Sequence, residues 1–62
     1  MHLSKDEKRL IKEFRKLSES RRDQLKECMY EFADWLCDEL YDIWESFKNK
    51  INRLWYLILG ED

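Results

Sequence analysis

The sequence predicts an all-α fold: a helical hairpin with a short first helix and a long second one, assembling into an antiparallel helical bundle. Three observations carry that expectation. Proline is absent and glycine occurs once in 62 residues, so the turn chemistry that separates short strands is missing. Hydrophobic residues at 44%, aromatics at 15% and charged residues at 42% describe segregated faces, whereas a disordered chain would be poor in aromatics. Apolar residues also recur at helical spacing along most of the chain. One domain over residues 1–62 follows, near the lower size limit for a fold without disulfides, metal or oligomerisation.

The first helix is predicted over about residues 5–17. In "LSKDEKRL" Ser4 precedes Glu7 by three residues, the S-x-x-E capping box in which each side chain reaches the other's backbone N–H. Leu3 is placed to staple against the aliphatic stem of Lys8. Leu10, Ile11, Phe14 and Leu17 then form one stripe on an otherwise charged cylinder. A turn is expected at 18–20, where Ser20 followed by Asp23 makes a weaker capping box. Nothing after it stops a helix until Gly60, so the second helix is predicted over about residues 21–59, about 58 Å long if straight.

That second helix carries a regular stripe. Leu25, Met29, Phe32, Leu36, Leu40, Ile43, Phe47, Ile51, Leu54 and Ile58 are spaced 4, 3, 4, 4, 3, 4, 4, 3 and 4 residues apart, three successive eleven-residue units. A period of about 3.67 residues per turn belongs to a nearly straight or slightly right-handed helix. Leu10, Phe14, Leu17, Leu25, Met29, Phe32 and Leu36 are the predicted hairpin core. The short first helix covers only the early part of the stripe. Ile43, Trp44, Phe47, Ile51, Leu54, Trp55 and Ile58 are therefore predicted to be an exposed interface for a second copy or another protein.

Charge is blocked along the chain. Residues 1–22 carry 8 basic and 4 acidic groups (net +4), residues 23–46 carry 1 and 8 (net −7), and residues 47–62 carry 3 and 2 (net +1), which together give −2. An antiparallel homodimer would set Lys48, Lys50 and Arg53 against Glu31, Asp34 and Asp38, whereas a parallel one would stack acid on acid. Glu27, Glu31, Asp34, Asp38, Asp42 and Glu45 form a predicted acidic ridge opposite the stripe. An ordinary solvated face is one account of it; imitation of a nucleic-acid backbone in the basic groove of a DNA-binding protein is another. Interleaved acids among the early lysines and arginines argue against direct nucleic-acid binding.

The parts needed for catalysis are lacking: His2 is the single histidine, there is no glycine-rich phosphate loop, and the carboxylates sit on a predicted exposed ridge. No enzyme, cofactor or metal site is expected. Cys28 and Cys37 would lie on opposite faces of one helix, about 13 Å apart along its axis, too far for a disulfide and unsuited to zinc. They read as small apolar residues in a reducing compartment. The longest apolar run, residues 54–59, is far below the roughly 20 residues of a membrane span, and acidic Glu61 and Asp62 argue against an interfacial membrane role. With no secretory pattern near the start, a cytoplasmic protein is expected.

The stretch "LSKDEKRLIKEFRKLSESRRDQLKECMYEF", residues 3–32, resembles the oligomerisation hairpin that follows the helix-turn-helix domain in Gram-positive phage and mobile-element repressors. It covers about half the chain, and "FRKLS" is its core. The resemblance implies an oligomerisation hairpin, here without a DNA-reading domain ahead of Leu3. The functional expectation is a small phage-like regulator of the inhibitor or antirepressor type that binds another protein through its long helix. A self-assembling structural module and an acidic DNA mimic are the alternatives.

Overall fold

A computed structural model describes residues 3–61. It is helical throughout, with α1 over Lys5–Arg15, α2 over Glu19–Glu27, α3 over Met29–Glu39, α4 over Tyr41–Phe47, a 3₁₀ turn over Lys48–Lys50 and α5 over Ile51–Leu59. No strand occurs among the described residues. The all-α expectation holds. The long second helix does not: residues 21–59 are divided at Cys28, at Leu40 and at the 3₁₀ turn. The chain measures 26 × 24 × 17 Å, so a straight helix of about 58 Å has no room. Its radius of gyration, 10.5 Å, matches the roughly 10.6 Å of a globular chain of this length.

α1 begins as its sequence requires. Ser4 donates its backbone N–H to Glu7 Oε1 at 2.9 Å, and Glu7 donates its own to Ser4 Oγ at 3.2 Å. This bonding, led by the Ser4 backbone N–H, holds the Glu7 carboxyl below its ordinary range, with the Arg53 charge adding a smaller push the same way. A depressed carboxylate contributes stability that is present at neutral pH and lost as pH falls through its folded-state value. Glu7→Gln, which keeps the shape of the box but removes the carboxylate, is expected to flatten the decline in stability at acid pH, as read from urea midpoints at pH 7 and pH 3. A variant with the wild-type acid profile would contradict this account of Glu7.

α1 ends at Arg15 instead of residue 17, and α2 starts at Glu19. The cap of α2 is Ser18, whose Oγ accepts from the Arg21 N–H at 3.2 Å. It takes the place of the expected Ser20 cap, and Ser20 lies inside α2. Leu17 is half-buried against the core. Gly60 does end the last helix, with φ −81°, in ordinary right-handed conformation.

The three interruptions contain no proline or glycine, so burial has to explain them. Ile43, Leu54 and Ile58 are 1%, 0% and 0% exposed, and Trp44, Phe47, Ile51, Trp55 and Leu57 pack partly buried against the same cluster. Burying each large aliphatic side chain stabilises by about 1.5–3 kcal/mol, whereas a lost helical hydrogen bond costs only about 1 kcal/mol net. Folding the stripe back on itself therefore outweighs keeping it straight. The bends are also economical. At Leu40 the N–H still donates to Leu36 O at 2.8 Å, and Trp44 N–H donates to Leu40 O at 3.0 Å.

At Cys28 the backbone is fully extended (φ −141°, ψ 117°), which takes the following N–H groups out of register with α2. The Leu25 carbonyl in its last turn finds another donor, the Trp55 indole N–H of α5, at 3.0 Å. Phe14 of α1 meets Trp35 edge to face at 6.4 Å, and Phe32 lies 6.2 Å from the same ring. Leu10, Phe14, Leu25, Phe32 and Leu36 fill the centre as expected, while Met29 is half-buried. Glu61 closes the structure: its carboxylate takes the Arg15 Nε–H at 2.7 Å, and its backbone carbonyl accepts from Lys26 Nζ.

Candidate functional site

The residues expected to form an exposed interface are interior. Ile43, Leu54 and Ile58 belong to the core, and Trp44, Phe47, Ile51 and Trp55 lean on it. The expectation of an open apolar face fails because α5 folds over α1, α2 and α3 and covers it. The reason for requiring a second chain to hide the stripe disappears with it.

What the fold leaves outside is polar and tyrosine-rich. Tyr30, Tyr41 and Tyr56 are 79%, 56% and 63% exposed. On α3, Tyr30, Asp34 and Asp38 stand four residues apart and all are exposed, so they share one side of the helix. Burial of Phe32, Trp35 and Leu36 on the opposite side fixes that orientation. The next interruption carries the chain to Tyr41 on α4. Exposed tyrosines beside carboxylates went unrecognised in the sequence because aromatics at helical spacing usually mean core. The available signal was that Tyr30, Tyr41 and Tyr56 all fall off the eleven-residue stripe.

The six acids of the predicted ridge remain at the surface but not in one line. Glu27 belongs to α2, Glu31, Asp34 and Asp38 to α3, and Asp42 and Glu45 to α4; Glu31 is half-buried and the others are exposed. Two are engaged within the chain. Asp42 receives both Nη groups of Arg9 from α1, one of them at 3.1 Å, and this fork lowers the Asp42 carboxyl and raises the Arg9 guanidinium. Glu45 accepts from Lys48 Nζ and from the Tyr41 hydroxyl, each at 3.1 Å. Lys48, ahead of Tyr41, lowers the Glu45 carboxyl, while the Glu45 bond raises the Tyr41 phenol.

Tyr41, Trp44, Glu45 and Lys48 thus form a surface platform: the Tyr41 and Trp44 rings stack at 5.7 Å, and Lys48 Nζ lies 5.7 Å from the Trp44 ring. By contrast, Glu27, Glu31, Asp34 and Asp38 meet no cation within ion-pair distance among the described residues. A positive feature lies elsewhere, on α1. Lys8, Lys12, Arg15 and Lys16, with Leu3, Ile11 and Glu61, line an open groove of about 460 Å³. The Leu3 and Lys8 expected to meet as a staple are both on its wall. Arg15 and Lys16 are already paired, with Glu61 and Glu13.

Cys28 and Cys37 are free thiols, both half-buried. Among the described residues no group of three or more His, Cys, Asp or Glu is disposed to hold a metal ion, and no helix is long and apolar enough to cross a membrane. His2 lies outside the described residues. No family model matches the chain, and neither the curated proteins nor the solved structures contain a match.

Proposed function

We propose that this chain is a small regulatory protein of the inhibitor or antirepressor kind, which binds another protein through the exposed acidic and tyrosine-bearing side of α3 and α4. The observation that carries the reading is Tyr30, 79% exposed, on the same side of α3 as Asp34 and Asp38. A tyrosine supplies large, rigid contact area at low entropic cost, and a stable core has no use for one left in water. Carboxylates without cations of their own favour a basic partner surface. The basic groove of a DNA-binding protein has that chemistry, which joins this reading to the acidic-mimic alternative and to the phage-repressor resemblance of residues 3–32. The long amphipathic helix is no part of it, since its apolar face is consumed internally.

The test uses purified basic DNA-binding proteins from phage and mobile elements of the resembling type, assayed against the immobilised chain at low salt. Binding is expected for a subset and should fall about tenfold or more in Tyr30→Ala and in Asp34→Lys/Asp38→Lys, whose helical spectra should be unchanged. Binding that ignores both variants would sink the reading.

Self-assembly is the second reading, in which copies of the chain associate as an antiparallel bundle. It is favoured by the segment between α4 and α5, which has neither side-chain caps nor proline or glycine to fix its bend.

A further inference from the structure

We infer that the chain has a second folded form, a dimer in which two copies exchange α5 by straightening the segment between α4 and α5. The inference rests on the self-assembling reading above and is independent of the acidic face. Its occupant is defined: the place of α5 on one copy is filled by α5 of the other.

The segment is held bent by very little of its own. Phe47 (φ −117°, ψ 9°) and Lys50 (φ −133°, ψ 31°) depart from helical conformation, while Lys48 (φ −55°, ψ −30°) and Ile51 (φ −59°, ψ −34°) are already helical. Neither the 3₁₀ turn nor the start of α5 has a side-chain cap, and proline and glycine are absent from residues 41–59. Restoring α-helical angles across residues 47–50 would make one helix over residues 41–59, about 28 Å long. Ile43, Phe47, Ile51, Leu54 and Ile58 would then form one stripe, spaced 4, 4, 3 and 4.

What holds the bend is tertiary: Leu54 and Ile58 in the core, the Trp55 indole on the Leu25 carbonyl, and Glu61 between Arg15 and Lys26. Every one of these contacts is between α5 or its C-terminal end and the body of the molecule. A second copy reproduces each of them, so exchange keeps these contacts and gains helical bonds at the hinge, while Phe47 and Ile51, which pack partly buried against the core, have to repack. The opposition is that repacking of Phe47 and Ile51 together with the entropy of association, the second of which concentration offsets. This is the energetic pattern of domain swapping.

The experiment is refolding at about 1 mM followed by size exclusion with light scattering, on a chain carrying Arg15→Cys and Glu61→Cys with Cys28→Ser and Cys37→Ser, so that a short bismaleimide joins positions 15 and 61. In the monomer fraction the link is expected within one chain. In the dimer fraction it is expected between chains, giving a covalent dimer on a denaturing gel. Hinge variants of the unmodified chain supply the second readout. Lys50→Gly lowers helix propensity at the hinge; an effect of roughly threefold per hinge acts twice per dimer, so the dimer constant should fall about tenfold. Asn49→Ala/Lys50→Ala raises helix propensity and should move it the other way. A chain that stays monomeric at 1 mM, a dimer linked only within its chains, or a dimer constant indifferent to both hinge variants would overturn the proposal. The first outcome leaves the acidic-face reading standing, because partner binding is measured on the monomer.

Discussion

Leu54→Asp is expected to abolish the fold. Leu54 is 0% exposed in a cluster that contains no cation among its members, so a carboxylate there is either buried unpaired or forces α5 off the body. The penalty for an uncompensated buried charge is several kcal/mol. A domain of this size has only about 3–9 kcal/mol of stability in total. Circular dichroism at 222 nm in water should therefore show a large loss of helix and no cooperative thermal transition. The experiment separates two architectures sharply. Were residues 43–58 an open face on a hairpin, an acid at 54 would improve solubility and leave the helices intact. A well-folded Leu54→Asp monomer would contradict the packing of α5 described here.

The second large effect concerns Trp55, which reads in sequence as a partner hot spot but serves within the chain. Trp55→Ala removes its packing on the cluster and its N–H from the Leu25 carbonyl. A large aromatic-to-alanine change costs about 3–5 kcal/mol in a core, and leaving a carbonyl without its donor adds about 1–3 kcal/mol. Because Trp55 is only partly buried, the lower end of the packing range applies. Trp55→Phe keeps most of the packing and isolates the hydrogen bond. Urea unfolding should rank the stabilities wild type, Trp55→Phe, Trp55→Ala, with the Phe variant lower by about 1–3 kcal/mol. Equal midpoints for wild type and Trp55→Phe would mean that the Leu25 carbonyl gains nothing from the indole.

The Trp55 bond also shows why the interruption at Cys28 could not be foreseen locally. A break in mid-helix exposes carbonyls, and the sequence around Cys28 contains no capping residue that would advertise one. The compensating donor lies 30 residues away on α5. The same holds at Leu40, a good helix former whose bend keeps the helical bonds on both sides. The exposed tyrosines did carry a local signal: Tyr30 and Tyr41 fall off the eleven-residue stripe, although aromatics in an amphipathic helix ordinarily mean core.

Local chemistry by itself determined the helical class, the Ser4–Glu7 box, the stop at Gly60 and the membership of the apolar stripe, because each depends on residues within a turn or two of one another. It placed Leu10, Phe14, Leu25, Phe32 and Leu36 in the core, and it put Ile43, Leu54 and Ile58 on the apolar stripe but as an exposed interface, where the fold buries them within the chain. Tertiary structure decided what buries them. A 3.67-residue period is satisfied equally by a straight helix laid on another chain and by three bends that lay the stripe on itself, since propensity hardly differs at Cys28, Leu40 or Lys50. The choice is made by apolar area removed from water, a quantity that exists only once distant segments have met.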